Sequence, residues 1–205
     1  MLASEAKKSV LIVGAGPVGL TAAAWLTKLG VTVDIVDKKS GPVSDSRALG
    51  VHARTLEFMS AFGLHEEMIR KGNITRFMTF HRFNKALFKL DFNKIKHLTR
   101  FPYMLVLPQS RTERILVDYL ASQKVPVQWQ VECVDLVETE NRVTVQLTAE
   151  GKLKECTYDY VVAADGASSP IRNQLGIPFE GETYDARFLL TEAGIADNAI
   201  ARNSS

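Results

Sequence analysis

The spacing of apolar residues changes period several times along the chain, and each change predicts an element. Val10, Leu11, Ile12 and Val13 form an unbroken apolar run, the mark of a strand buried on both faces. A helix-like stretch follows over residues 21–29, and Gly30 is a natural stop before a second strand over 31–36. Residues 40–50 carry loop chemistry. Residues 53–62 read as a helix with Leu56, Met59 and Phe62 on one face, stopped by Gly63, and 65–71 add another helical turn or two. From Thr75 the period shortens. Phe77, Met78, Phe80, Phe83, Leu87, Phe88, Leu90 and Phe92 fit short strands and turns, and 103–107 is a further strand candidate.

In the second half, Ser110 with Glu113 three residues on has the form of a capping box. The helix it opens would run over 111–122 and bury Ile115, Leu116, Tyr119 and Leu120. Four strands over 127–131, 133–137, 143–147 and 153–158 predict a β-meander, with turns at Glu140-Asn141 and Glu150-Gly151. Residues 160–164 read as a buried strand of parallel type that ends in Asp165-Gly166. Ser169-Pro170-Ile171-Arg172 then reads as a helix start, since proline suits the first turn. No internal repeat appears, and residues 194–205 are polar without a core pattern.

The first strand and helix are joined by Gly14-Ala15-Gly16-Pro17-Val18-Gly19. In that context a G-x-G-x-x-G spacing points to a dinucleotide. Gly14 permits the sharp turn, Gly16 lets a pyrophosphate approach the backbone, and Gly19 allows the helix to pack closely. The helix N-terminus adds free N–H groups and a partial positive charge. Asp37 ends the second strand, close to the spacing expected of an acid that accepts hydrogen bonds from ribose hydroxyls. Its charge would repel a 2′-phosphate, so the adenosine half fits NAD or FAD better than NADP.

Composition narrows the picture modestly. A chain of 205 residues suits one well-cored domain with a small second one, and 46% apolar content is ordinary. The net charge of +2 is too mild to imply nucleic acid. Cys133 and Cys156 have no metal-ligand spacing and read as thiols of a reducing compartment. No metal is expected, and His52, His65, His81 and His97 have no partner spacing that suggests catalysis. Residues 9–27 are uncharged and follow Lys7-Lys8, but Gly14, Gly16, Pro17 and Gly19 break any continuous span. The chain is therefore read as soluble, unprocessed and cytoplasmic, without a membrane partner. A basic cluster of Arg76, Arg82, Lys85, Lys89, Lys94, Lys96 and Arg100 reads as a solvated edge, with docking of an anionic pyridine nucleotide as the second reading.

Taken in order, Gly14-x-Gly16-x-x-Gly19, Asp37, Arg47, the segment Leu107-Pro108-Gln109-Ser110-Arg111 and Asp165-Gly166 followed by Ser169 and Arg172 resemble one family. It is the FAD-dependent aromatic hydroxylases of the para-hydroxybenzoate and phenol hydroxylase type, and the match runs from about residue 10 to about 191. The resemblance implies an α/β fold: a Rossmann-like FAD-binding domain with a β-meander, over 1–74 and 108–178. Residues 75–107 and 179–193 would begin a substrate-binding β-sheet domain, and 194–205 a tail. It further implies that Gly14, Gly16 and Gly19 hold the FAD pyrophosphate and Asp37 the ribose. Arg47 and Gly50 would lie beside the pyrophosphate and flavin, Gln109 and Arg111 at FAD contacts of a helix start. Asp165 and Gly166 would sit near FAD and the docking nicotinamide, with Arg172 in support.

The implied activity is NAD(P)H-consuming monooxygenation of a phenolic or polyketide-like molecule, with oxygen activated as a flavin hydroperoxide. The partners would be a small aromatic substrate and molecular oxygen; no residue is singled out as catalytic. The family's second flavin motif, of the Gly-Asp-Ala-Ala-His kind, is absent from this sequence. The expectation is thus of a truncated N-terminal form, with a second chain as a possible partner to complete the fold. An FAD-dependent epoxidase and an FAD-binding fragment without turnover stay open as alternatives. A halogenase motif of the Trp-x-Trp-x-Ile type is not found, and a plain NAD dehydrogenase explains neither the meander nor Asp165-Gly166.

Overall fold

The apolar runs become the centre of a parallel sheet. The computed structural model describes residues 8–43 and 50–182. The first part comprises Ser9–Val13 (β1), Pro17–Lys28 (α1) and Thr32–Asp37 (β2). The middle holds Gly50–Val51 (β3), Ala53–Ser60 (α2), Leu64–Lys71 (α3), Asn73–Thr75 (β4), Phe77–Arg82 (β5), Lys85–Asp91 (β6) and Met104–Val106 (β7). The last part holds Gln109–Ser122 (α4), Gln128–Trp129 (β8), Val131–Glu138 (β9), Val143–Ala149 (β10), Lys152–Tyr158 (β11), Tyr160–Ala163 (β12) and Pro170–Gln174 (α5).

These residues fall into two compact units, one from 8–43 with 109–178, the other centred on 50–108. In the first unit four parallel strands lie in the order β12-β1-β2-β8. Leu11, Ile12, Ile35 and Val36 are fully buried there, as continuous apolar strands require. On one face Leu11, Val13 and Val36 share a core with Cys133, Leu136, Val145 and Leu147 of the antiparallel meander β9-β10-β11. Strand alternation turns Ile12 and Ile35 to the other face, where α1 packs on β1, β2 and α4. Each such side chain contributes about 1.5–3 kcal/mol by leaving water. Tyr158 joins the layers by donating its hydroxyl to Asp34 at 2.9 Å.

Three expectations change. The meander has three strands rather than four, because residues 128–129 pair in parallel with Val36 and Asp37. Gln130, at a left-handed φ of 57°, donates its N–H to the Lys39 carbonyl and separates β8 from β9. α1 starts at Pro17, four residues earlier than its apolar pattern suggests, since a proline fits N1. The capping box does not form: α4 begins at Gln109, and Glu113 turns its carboxylate inward.

In the second unit β3 and β4 both pair with β7, which groups residues 50–74 with 75–108 rather than with the glycine loop. Its core is Val51, Leu56, Met59, Met68 and Leu105. β5 and β6 form a separate two-stranded hairpin, with Phe80 stacked on Phe88 at 4.4 Å between centroids. The basic residues from Arg76 to Arg100 are all exposed, and Lys89 lies 3.8 Å from the centre of the Phe77 ring. Among the described residues no helix is long and apolar enough to cross a membrane.

Candidate cofactor site

The three glycines of the first turn answer to three different constraints. Gly14 has a φ of 107°, and a Cβ there would lie 2.3 Å from the Ala164 carbonyl oxygen. A Cβ on Gly19 would lie 1.9 Å from the Gly14 carbonyl oxygen. Both positions are closed by the protein's own backbone. A Cβ on Gly16 would meet nothing within 4 Å, and its backbone is ordinary extended chain, φ −79°. Gly16 is therefore small without any need of the fold. It is also the N-cap of α1, with no side-chain cap, so the first-turn N–H groups of Val18 and Gly19 have no partner within the helix. The positive end of the helix dipole lies at these groups.

Asp37 is buried at the end of β2, 6% exposed. One carboxylate oxygen accepts from the Ala15 N–H at 2.7 Å and lies 3.6 Å from Lys39 Nζ; the other accepts from the Lys39 N–H at 2.9 Å. The acid thus clamps the glycine loop as well as presenting acceptor lone pairs. The Asp165-Gly166 turn lies against the same loop. Asp165 accepts from the Ile171 N–H at 3.3 Å, and Gly166 takes a φ of 92° that favours glycine. Ser169 caps α5 by accepting from the Arg172 N–H at 2.9 Å. Arg172 donates to the Ala167 carbonyl at 2.8 Å, within the same turn.

These parts line one groove of about 410 Å³ in the first unit, with Gly14, Gly16, Asp37, Gln109, Asp165 and Gly166 on its walls. Cys133, Lys39 and Val43 also line it, residues that no sequence motif marked. Burial pushes the Cys133 thiol above its ordinary range, so it remains a protonated, apolar wall. Arg111 is exposed on α4 and is not on the groove wall. Gly50 opens β3 in the second unit, where a Cβ would meet Met104 Sδ at 3.0 Å. Arg47 lies outside the described residues. Among the described residues no cluster of His, Cys, Asp or Glu could hold a metal.

The donor set suits a dinucleotide: an open glycine at unpaired helix N–H groups for a diphosphate, and a fixed carboxylate for ribose hydroxyls. Residues 7–201 match the family described as FAD binding domain. The chain belongs to that family. It is 39% identical over 196 residues to 6-methylpretetramide 4-monooxygenase of Streptomyces rimosus, covering 96% of this chain and 35% of the relative. It is 33% identical over 197 residues to pentachlorophenol 4-monooxygenase of Sphingobium chlorophenolicum, covering 94% of this chain and 36% of the relative. The crystal structure of p-nitrophenol 4-monooxygenase from Pseudomonas putida superposes with a TM-score of 0.83 at 27% identity, over 87% of this chain and 46% of that one. The chain spans about a third of the length of the curated relatives it matches. FAD is the cofactor of this family, and the fold is its FAD-binding fold.

Proposed function

We propose that the groove holds FAD and that the chain serves an NAD(P)H-consuming monooxygenase acting on a phenolic or polyketide-like aromatic molecule. The observation that carries this reading is the difference among the glycines: a Cβ on Gly14 or Gly19 would meet backbone, whereas one on Gly16, on the groove wall, would meet nothing within 4 Å. FAD, when bound, supplies redox chemistry and oxygen activation. The chain supplies binding and placement. Gly16 and the first turn of α1 would take the pyrophosphate, and Asp37 a ribose hydroxyl while holding Ala15 in register. Gln109 and Asp165-Gly166 would line the remainder of the cofactor. Arg47 keeps its proposed place beside the pyrophosphate; Gly50 and Arg111 have no place on the described groove. The substrate class rests on what the names of the relatives state of those proteins: 6-methylpretetramide, pentachlorophenol and para-nitrophenol.

The test is oxygen uptake by purified, FAD-loaded protein with NADH or NADPH, with and without a panel of phenols and naphthacene-type polyketides. Substrate-stimulated uptake with formation of a hydroxylated product is expected; an epoxide product would shift the reading to an epoxidase. A flavin band with no substrate-dependent uptake would leave a cofactor-binding unit without turnover. A protein that cannot be loaded with FAD would overturn the proposal.

A further inference from the structure

Glu113 is fully buried on the second turn of α4, 0% exposed, beside Ile115, Leu116 and Leu120, which supply the apolar packing of that helix. Burying a carboxylate is costly unless its oxygens are hydrogen-bonded. Here each oxygen has one partner. One accepts from the Val43 N–H at 3.0 Å, and the other from Gln109 Nε2 at 2.8 Å. The Gln109 bond is local, an i,i+4 pair on one helix face. The Val43 bond spans 70 residues of sequence and reaches the segment that follows Asp37. Val43 and Gln109 both line the groove, and Glu113 does not.

We infer that Glu113 is a positioning residue for the cofactor. It ties the segment after β2 to the start of α4, so that two walls of the groove are set before FAD enters, and it acts only through Val43 and Gln109. This rests on the reading of the groove as the FAD site. Pre-formed walls matter because a site that must be ordered by its ligand binds it more weakly.

The experiment titrates FAD into the 205-residue chain by flavin fluorescence quenching, with visible circular dichroism of the bound flavin and the denaturation midpoint of the FAD-free chain. Glu113→Gln keeps the shape but replaces one accepting oxygen with a donor. It is expected to raise the Kd about tenfold, the scale of one hydrogen bond to a charged group, and to alter the flavin dichroism. Glu113→Leu restores apolar packing and is expected to raise the Kd further without lowering the midpoint in proportion, a split that a merely structural residue would not give. Val43→Pro leaves the carboxylate in place and removes its backbone donor; it is expected to weaken binding more than Val43→Ala does. Glu113→Gln with a Kd within about twofold of wild type and unchanged dichroism would overturn the inference. So would equal effects of Val43→Pro and Val43→Ala, which serves if the Glu113 variants do not fold. A wild-type chain that does not bind FAD, or a Gly16→Val chain that binds it equally well, is a different result: it removes the groove reading itself.

Discussion

The C-terminal end of the parallel sheet and the β5–β6 hairpin are both rich in residues that a sequence marks as special, yet they use them in opposite ways. At the sheet end nearly every marked residue is pinned by another part of the chain: Gly14 by Ala164, Gly19 by Gly14, Asp37 by Ala15 and Lys39. In the hairpin Phe83 is 92% exposed and Leu87 60%, and among the described residues β5 and β6 pair only with each other. The contrast teaches that alternation defines faces but not what covers them. Close backbone approach, by contrast, leaves a signature that can be checked at each position. Substitutions at the sheet end are therefore expected to be costly, and those in the hairpin mild.

The largest effect is expected at Gly19. With backbone 1.9 Å from the new methyl group, Gly19→Ala should destabilise the first unit by about 3 kcal/mol or more and abolish FAD binding. A denaturant midpoint close to wild type would break the comparison. Next is Asp37→Ala, which leaves the Ala15 and Lys39 N–H groups without their acceptor; a loss of about 2–3 kcal/mol is expected in the same assay. Tyr158→Phe removes one interlayer hydrogen bond and should cost about 1 kcal/mol at neutral pH. Burial, then the bond to Asp34, pushes the Tyr158 hydroxyl upward. The folded state thus keeps a proton that the unfolded chain releases above about pH 10, and stability falls as pH rises beyond that point. Midpoints measured from pH 8 to 11 should fall more steeply for wild type than for Tyr158→Phe. Parallel curves would show that the phenol does not contribute as described. The smallest effect belongs to the hairpin: Phe83 has a φ of 50°, so Phe83→Gly should change stability by no more than about 0.5 kcal/mol in either direction, relief of strain offsetting added chain entropy.

Much of the site was legible because it is local. The Gly14–Gly19 turn, Asp37 one strand later and the Asp165-Gly166 turn each combine a motif with a flanking strand, and periodicity located those strands within a few residues. What stayed hidden depends on contacts distant in sequence. Nothing in Gln128-Trp129 announces a parallel partner in β2 about ninety residues earlier, and a run beside a meander reads as one more strand of it. Glu113 matched a capping box at the spacing that defines one, but the Val43 N–H, far away in sequence, competed for its carboxylate. β7 falls within the strand read over 103–107, but its partners β3 and β4 were missed since two- and three-residue strands have no period to read.

The central claim is that the first unit binds FAD over Gly16, and Gly16→Val tests it most directly. The position is open and extended, so a β-branched residue fits the backbone, and the denaturation midpoint of the FAD-free chain should stay within about 0.5 kcal/mol of wild type. Titration with FAD should show a Kd raised by about a hundredfold or more, since the side chain occupies the approach of the pyrophosphate. Unchanged affinity in a folded Gly16→Val chain would contradict the account.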